Sequence, residues 1–170
     1  KQIMGSLVKY IIRFIFFILI QVIVLDKIHL HQMVTPYLYF LFILWLPFKM
    51  NRTLLMFTAA IVGFSLDSFR HHPGFHTAAC VLIAYVRPFL INLLIPQEGA
   101  ETNYEEPSMR SMGGLLPYII YAGVLSLLHN AWLFFLEAWQ FGDAWYFFIK
   151  TILSTVISIL NVKSQINAKI

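Results

Sequence analysis

The chain has 170 residues, of which 59% are hydrophobic and only 12% are charged, and its formal net charge is +4. Soluble domains carry about 25% charged residues, so the composition excludes an ordinary soluble fold. A nucleic-acid partner is not indicated either, because the basic residues are scattered at the ends of apolar runs instead of forming a stripe.

Six apolar runs approach the roughly 20 residues that a transmembrane helix needs. They predict one all-α polytopic membrane domain over residues 1–170 with six transmembrane helices. The predicted spans are Val8–Leu25, Tyr37–Met50, Thr53–Phe69, Phe75–Ile95, Leu115–Glu137 and Trp145–Leu160. Lys and Arg are concentrated in alternate connections, and this asymmetry predicts that both termini are cytoplasmic.

The ends of the first two spans are marked by different signals. The basic start of the first run resembles a signal peptide, but no small-x-small cleavage site follows before Asp26, so we expect a retained helix. Tyr37 and Tyr39 at the start of the second span are typical of an aromatic belt. That span ends at Leu46-Pro47, and the tight connection Lys49–Arg52 predicts that the second and third helices are antiparallel neighbours.

Three polar or charged side chains from different spans are predicted to lie at one depth. With a helical rise of about 1.5 Å per residue, Asp67, His129 and Lys150 all reach the outer part of the bilayer core. A carboxylate in lipid is costly, so we expect a polar cluster that fixes helix packing or binds a partner. Snorkelling of the side chains to the interface and a small-ligand or ion site are the alternatives.

A turn rich in histidine, proline and glycine joins the third and fourth spans. Pro73-Gly74 favours a sharp reversal of the chain. A zinc site is not predicted, because His71 and His72 are adjacent and diverge, and the reversal separates them from His76. No metal, cofactor or catalytic residue is predicted in the chain, and the lone Cys80 is expected to be a packed residue.

The fourth span contains Arg87-Pro88, for which two interpretations are open. If the helix runs unbroken from Phe75, Arg87 lies near mid-membrane, which is costly. If the helix ends near Arg87, as the following proline favours, the segment PFLINLLI lies along the membrane surface. We expect the second arrangement.

The longest connection, Pro96–Gly114, carries four glutamates and one arginine. It has too little apolar surface to fold alone, so we predict an acidic, solvated cytoplasmic linker between the fourth and fifth spans. A docking site for a basic cytoplasmic partner is the alternative.

The segment from Gly63 to Pro88 combines glycine, aspartate, a Pro-Gly turn and small residues in a distinctive order. The residues that form this pattern are Gly63, Asp67, Pro73, Gly74, Phe75, His76, Ala79, Ala84, Tyr85, Arg87 and Pro88. The pattern resembles the rod-shape-determining protein MreD family, in the versions found in Bacteroidetes-type bacteria. The size, the six predicted spans and the cytoplasmic termini agree with that family.

The resemblance implies a non-enzymatic scaffold subunit of the rod complex in the bacterial cytoplasmic membrane, surrounded by membrane lipid. MreD family proteins pair with the bitopic protein MreC and act alongside the MreB filament, the RodA glycosyltransferase and a class B penicillin-binding protein. Together these support cell shape and peptidoglycan synthesis.

The same family is similar in architecture to the six-helix substrate-binding subunits of energy-coupling-factor vitamin transporters, which supply the alternative function. The sparse polar residues favour the scaffold, and no inverted pair of interrupted helices indicates a secondary transporter. The candidate structural or partner-binding residues are Gly63, Asp67, Pro73, Gly74, His76, Arg87, Pro88, His129 and Lys150.

Overall fold

The computed structural model describes residues 2–25, 37–70, 74–95, 106–141, 149 and 151–157. Over these residues the regular structure is entirely helical. The elements are α1 (Gln2–Leu19), a π-helical turn (Ile20–Val24), α2 (Leu41–Leu44), α3 (Arg52–Arg70), α4 (Phe75–Leu94) and α5 (Leu115–Phe141). Residues 151–157 are also helical.

Three of the described helices are long and apolar enough to cross a membrane, namely α3, α4 and the Leu115–Glu137 part of α5. At about 1.5 Å per residue, helices of this length match a hydrocarbon core of about 30 Å. Their outward faces are apolar, as shown by Phe57, Phe64 and Leu116, which are 65%, 67% and 69% exposed. These helices point to a membrane protein, and they coincide with the predicted third, fourth and fifth spans.

The predicted first span, Val8–Leu25, falls on a continuous helical stretch made of α1 and the π-helical turn. The turn places Gln21 in the core, where its Oε1 accepts a hydrogen bond from the backbone N–H of Leu38 at 2.8 Å. Of the predicted sixth span, Trp145–Leu160, the structure describes only Ile149 and residues 151–157.

The predicted second span, Tyr37–Met50, is not a continuous transmembrane helix, and that prediction was wrong. Only α2 is α-helical, and the N–H groups of Leu41 and Ile43 bind carbonyls three residues back, at 3.0 and 2.9 Å. Every residue from Tyr39 to Leu44 is nevertheless at most 4% exposed. Irregular backbone is tolerated at membrane depth where protein surrounds it, so the apolar character of this segment reflects burial in protein.

Helices α1, α4 and α5 enclose this buried segment, which is defined here as residues 37–47. Phe14 of α1 packs edge-on against Phe42, with ring centroids 5.9 Å apart. On the α5 side, the ring of Phe40 stacks on His129 at 4.4 Å, and Trp45 Nε1 donates a hydrogen bond to the hydroxyl of Tyr118 at 3.1 Å. The core therefore forms around an irregular segment.

Helix α4 runs without interruption through Pro88 to Leu94, so the expected end of the helix at Arg87 is wrong. A proline at this position removes one helical hydrogen bond, to the carbonyl of Ala84. The helix continues because the side chain of Arg87 is only 1% exposed and binds oxygen atoms inside the protein. The cost of a charge in lipid, which favoured a break, does not arise for a guanidinium that is surrounded by protein.

A compact turn, residues 106–114, precedes α5. Ser111 Oγ accepts a hydrogen bond from a backbone N–H within the turn at 2.7 Å, and Met112 is 1% exposed. Gly113 has a φ of 78°, a left-handed conformation that glycine adopts without strain. This part of the predicted linker is packed against the protein, whereas residues 96–105 lie outside the described residues.

Candidate functional site

Asp67 of α3 caps the start of α4. Its Oδ1 accepts the backbone N–H of His76 at 3.0 Å, and its Oδ2 accepts the N–H of Thr77 at 2.9 Å and the hydroxyl of Thr77 at 2.6 Å. First-turn N–H groups have no carbonyl partner within their own helix, and the N-cap residue Gly74 has no side chain to satisfy them. A carboxylate from the neighbouring helix does so, and its charge is favourable at a helix N-terminus.

Gly63 allows the two helices to approach this closely. A Cβ at Gly63 would lie 2.4 Å from Thr77 Cα and 2.6 Å from the carbonyl oxygen of His76, which are impossible contacts. Gly74 has a φ of 84°, which lets the chain reverse immediately before α4. Gly63, Asp67, Gly74, His76 and Thr77 are called the α3–α4 cap below.

Tyr39 joins the α3–α4 cap to α5 through its hydroxyl. Its Oη lies 2.8 Å from Nδ1 of His76 and 2.8 Å from Nε2 of His129, and all three residues are at most 1% exposed. A phenol carries one proton, so the hydroxyl donates to one imidazole and accepts an N–H from the other. The arrangement is satisfied when both imidazoles are neutral, one presenting an N–H and the other an unprotonated nitrogen to the same oxygen.

Polar contacts continue from His129 to the last described helix. Its Nδ1 lies 3.4 Å from Oδ1 of Asn130, whose Nδ2 donates to Thr155 Oγ1 at 3.2 Å. The hydroxyl of Thr155 in turn donates to the carbonyl of Thr151 at 2.7 Å. A chain of buried polar groups thus connects α4, the buried segment, α5 and residues 151–157.

Arg87 of α4 binds oxygen atoms at the end of α2 and on α5. Its Nε donates to the hydroxyl of Tyr121 at 2.9 Å, and this hydroxyl donates to the carbonyl of Leu44 at 2.8 Å. The Nη2 atom donates to the carbonyl of Leu46, and Nη1 lies 3.5 Å from the carbonyl oxygen of Pro47. Carbonyls at a helix end lack internal donors, and a cation complements their partial negative charge.

Arg87 has no ionic partner among the described residues. The ion pairs seen there both involve Glu106, with Lys9 and with Arg13. Asp67 is bound in the same manner, through backbone N–H groups and a hydroxyl. Asp67 is therefore stabilised by the N-terminus of α4, and Arg87 is stabilised by backbone carbonyls just beyond the single turn of α2.

A third polar cluster joins α1 to the turn before α5. The carboxylate of Glu106 accepts hydrogen bonds from Lys9 Nζ at 2.6 Å, Tyr10 Oη at 3.1 Å and Arg13 Nη1 at 2.8 Å. Partial burial opposes ionisation of this carboxyl, but the hydrogen bonds from Arg13 and Lys9 outweigh it and lower the pKa of Glu106 below its usual value. This glutamate of the acidic connection is paired within the chain.

The predicted site residues fall in two places in the structure. Those in the α3–α4 cap are Gly63, Asp67, Gly74 and His76. His129 is joined to the cap through Tyr39, whereas Arg87 belongs to the separate cluster at the end of α2, and Pro88 lies inside α4. The predicted residues that lie outside the described residues are Pro73 and Lys150.

Of the predicted layer of Asp67, His129 and Lys150, the structure describes Asp67 and His129, and these two residues are connected indirectly. Asp67 binds the first turn of α4, and the contact with His129 runs through His76 and Tyr39. Sequence reasoning assigned Tyr37 and Tyr39 to an aromatic belt, and this was wrong, because both rings are buried in the protein. A tyrosine at the start of an apolar run looks the same in an aromatic belt as in a buried cluster. Sequence reasoning also missed Tyr121, which has no polar neighbour in the sequence that would mark it.

These clusters share one chemical property, which is that side chains bind helix ends and one another in the protein interior. Among the described residues, no group of three His, Cys, Asp or Glu side chains is placed to hold a metal ion. The chain matches no protein-family model, no curated protein and no solved structure. The function of the chain is therefore inferred from these residues.

Proposed function

We propose that the chain is a non-enzymatic scaffold subunit of a bacterial cell-elongation complex, of the kind that the MreD family provides. In this proposal it crosses the cytoplasmic membrane six times, with the irregular buried segment in place of the second helix, and both termini lie in the cytoplasm. It pairs with an MreC-like protein that has a single span, and it supports cell shape and peptidoglycan synthesis with the MreB filament, RodA and a class B penicillin-binding protein.

The way in which the buried charges are bound supports this function most directly. Asp67 and Arg87 are engaged by the ends of the protein's own helices, and the hydroxyl of Tyr39 is shared by two histidines. A ligand site needs polar groups that converge on a pocket and bind the ligand. Groups that are already engaged with the protein instead hold the helices in one arrangement, as a scaffold requires.

The outward faces of the described helices also suit a scaffold. Phe57 and Phe64 project from α3 with 65% and 67% of their surface exposed, and Leu93 of α4 is 80% exposed. In a membrane, such side chains contact lipid or the span of another protein, and packing between helices depends on the fit of these surfaces.

Co-purification with an MreC-like protein tests the proposed function. The tagged full chain is co-expressed with the MreC-like protein and, as a matched control, with the same protein carrying an unrelated apolar span. We expect recovery of the first and not of the second, because a specific helix contact needs a matching surface. Asp67→Asn should reduce recovery by loosening the α3–α4 cap, whereas Arg110→Gln, which changes an exposed side chain of the turn before α5, should not.

The opposite outcome would favour the transporter alternative. Retention of a vitamin-sized ligand or an ATPase module, without recovery of the single-span protein, would contradict the scaffold and support an energy-coupling-factor subunit. Equal recovery with both spans would also contradict it, since the contact would then lack specificity.

A further inference from the structure

Arg52, the first residue of α3, is exposed but held in place by α4. Its guanidinium carbon lies 4.7 Å from the ring centroid of Tyr85 and 4.5 Å from that of Phe89. The two ring centroids are 5.8 Å apart. A cation over aromatic faces is attracted by their quadrupoles, so the rings position the guanidinium without occupying its hydrogen-bond donors.

The charge of Arg52 is not neutralised by a carboxylate of the described residues. Lys9 and Arg13 pair with Glu106, and Arg87 binds backbone carbonyls, but no described carboxylate lies within ion-pair distance of Arg52. A guanidinium offers five N–H donors in a planar fork that fits phosphate and carboxylate oxygens. Within the part of the chain that the structure describes, Arg52 is thus a positioned cation that no carboxylate neutralises.

The surroundings of Arg52 are apolar and exposed. Tyr85, Phe89 and Leu93 of α4 are 47%, 54% and 80% exposed. Because Arg52 begins a helix that is long enough to cross a membrane, it lies at the level where lipid headgroups meet the hydrocarbon. A cation above an apolar face is complementary to an anion that carries hydrocarbon chains.

We propose that Arg52, Tyr85 and Phe89 form a binding site for an anionic phospholipid. The lipid phosphate accepts hydrogen bonds from the guanidinium of Arg52, and the acyl chains lie on the exposed face of α4. An anionic lipid is favoured over a zwitterionic one, because the zwitterionic headgroup brings its own cation to compete for the phosphate. Lipid binding at this site is independent of the scaffold function, since it is measured on the purified chain alone.

Native mass spectrometry of the full chain in neutral detergent tests the site. Phosphatidylglycerol and phosphatidylcholine with identical acyl chains are added in equal amounts to the wild type, Arg52→Gln and Arg110→Gln. We expect preferential retention of phosphatidylglycerol, reduced about fivefold by Arg52→Gln, which corresponds to roughly 1 kcal/mol for one basic residue at an anionic surface. Arg110→Gln removes another exposed arginine and should leave retention unchanged.

Three outcomes would overturn the assignment. Equal retention of the two lipids by the wild type would show that the headgroup charge is not recognised. An equal loss in both variants would show a general effect of net charge. Protection of the wild type against thermal unfolding by inorganic phosphate to the same degree as by phosphatidylglycerol would show an anion site without a lipid.

A partner span on the same surface is distinguished by the same variants. If Arg52→Gln leaves phosphatidylglycerol retention unchanged but abolishes recovery of an MreC-like protein, the exposed cation serves a protein contact, and the lipid site is wrong. Phe89→Leu provides a second variant that keeps the charge but removes one ring. It should weaken phosphatidylglycerol retention less than Arg52→Gln does.

Discussion

Among the described Asp, Glu, Lys and Arg residues, Asp67 and Arg87 are the two that are buried, and they are stabilised in opposite ways. Asp67 accepts hydrogen bonds from N–H groups at the beginning of α4, whereas Arg87 donates to carbonyls at the end of α2. The two residues do not form an ion pair with each other. The charge of Asp67 instead meets the N-terminus of a long helix, whereas that of Arg87 meets the carbonyls of the irregular segment that follows α2.

The difference between the two sites lies in the element that is stabilised. At Asp67 the capped helix is long and regular, and only its first turn depends on the carboxylate. At Arg87 the capped element has one helical turn, Leu41–Leu44, inside an otherwise irregular segment. The irregular segment has fewer hydrogen bonds of its own, so we expect it to depend more strongly on its capping side chain.

Arg87→Met should cause the largest loss of stability. It leaves the carbonyls of Leu46 and Pro47 without these donors, and an unsatisfied backbone group in a membrane costs several kcal/mol. Removal of the guanidinium offsets only part of this loss, because a charge buried in protein carries a desolvation cost of its own. We expect a net loss of about 3 kcal/mol, measured as a lower Tm in detergent or as aggregation.

The control for Arg87→Met is Arg110→Met, which removes an exposed arginine from the turn before α5. Its Tm should stay close to that of the wild type. If Arg87→Met were as stable as this control, the end of α2 would not depend on Arg87. The irregular segment would then not depend more strongly on its capping side chain than α4 does on Asp67.

Asp67→Asn should cause a smaller loss, of about 1.5–3 kcal/mol. The asparagine keeps one acceptor oxygen, but its NH₂ group would face the N–H donors of α4, and the charge at the helix N-terminus is lost. The Tm in detergent measures the effect. Thr77→Val removes the hydroxyl that binds Asp67 at 2.6 Å and permits a double-mutant cycle.

In this cycle, the losses of Asp67→Asn and Thr77→Val should not add, because both remove the same hydrogen bond. We expect a coupling of about 0.5 kcal/mol or more, as is usual for residues in contact. Strictly additive losses would show that the carboxylate and the hydroxyl act independently.

Glu106→Gln should cause the smallest loss, about 0.2–1 kcal/mol at pH 7, because this carboxylate is partly exposed. Since the pKa of Glu106 is lowered in the folded protein, its contribution is present above the unfolded pKa of about 4.3 and is lost as the pH falls through the folded pKa. The Tm difference between wild type and variant should therefore shrink as the pH falls below the unfolded pKa and vanish once the pH is below the folded pKa.

Salt provides the control for this ionic contact. At neutral pH, about 0.5 M salt should reduce the Tm difference caused by Glu106→Gln, since exposed charges are screened. The effects of Arg87→Met and Asp67→Asn should change little, because those charges are buried. A Tm difference for Glu106→Gln that persists in acid would show that packing of the side chain, and not its charge, is responsible.

The limits of α3 and the starts of α4 and α5 could be predicted because each begins an apolar run of nearly the length of a span, whereas the expected end of α4 at Arg87 was wrong. The importance of Asp67 could also be predicted, since a short carboxylate at that depth needs a partner. Its partner could not, because backbone N–H groups leave no mark in the sequence. The same holds for Arg87, whose acceptors are mainly carbonyls 40 or more residues away along the chain.

The second predicted span shows a different limit of sequence reasoning. A run of apolar residues from Tyr37 to Leu46 has the same pattern whether lipid or protein surrounds it. The irregular backbone of this segment depends on Gln21, Arg87 and Tyr121, which satisfy its polar groups from other elements. The helix propensities of the residues in this segment carry no information about such distant partners.

The shared cap between α3 and α4 has a consequence for membrane insertion during synthesis. A solitary α4 would carry the unsatisfied N–H groups of His76 and Thr77 into lipid, because Gly74 offers no side chain to bind them. A hairpin in which α3 already lies alongside satisfies both groups through Asp67. The helical hairpin, and not the single helix α4, is thus the unit that enters the bilayer favourably. Gly63 contributes by allowing the two helices of this hairpin to pack closely.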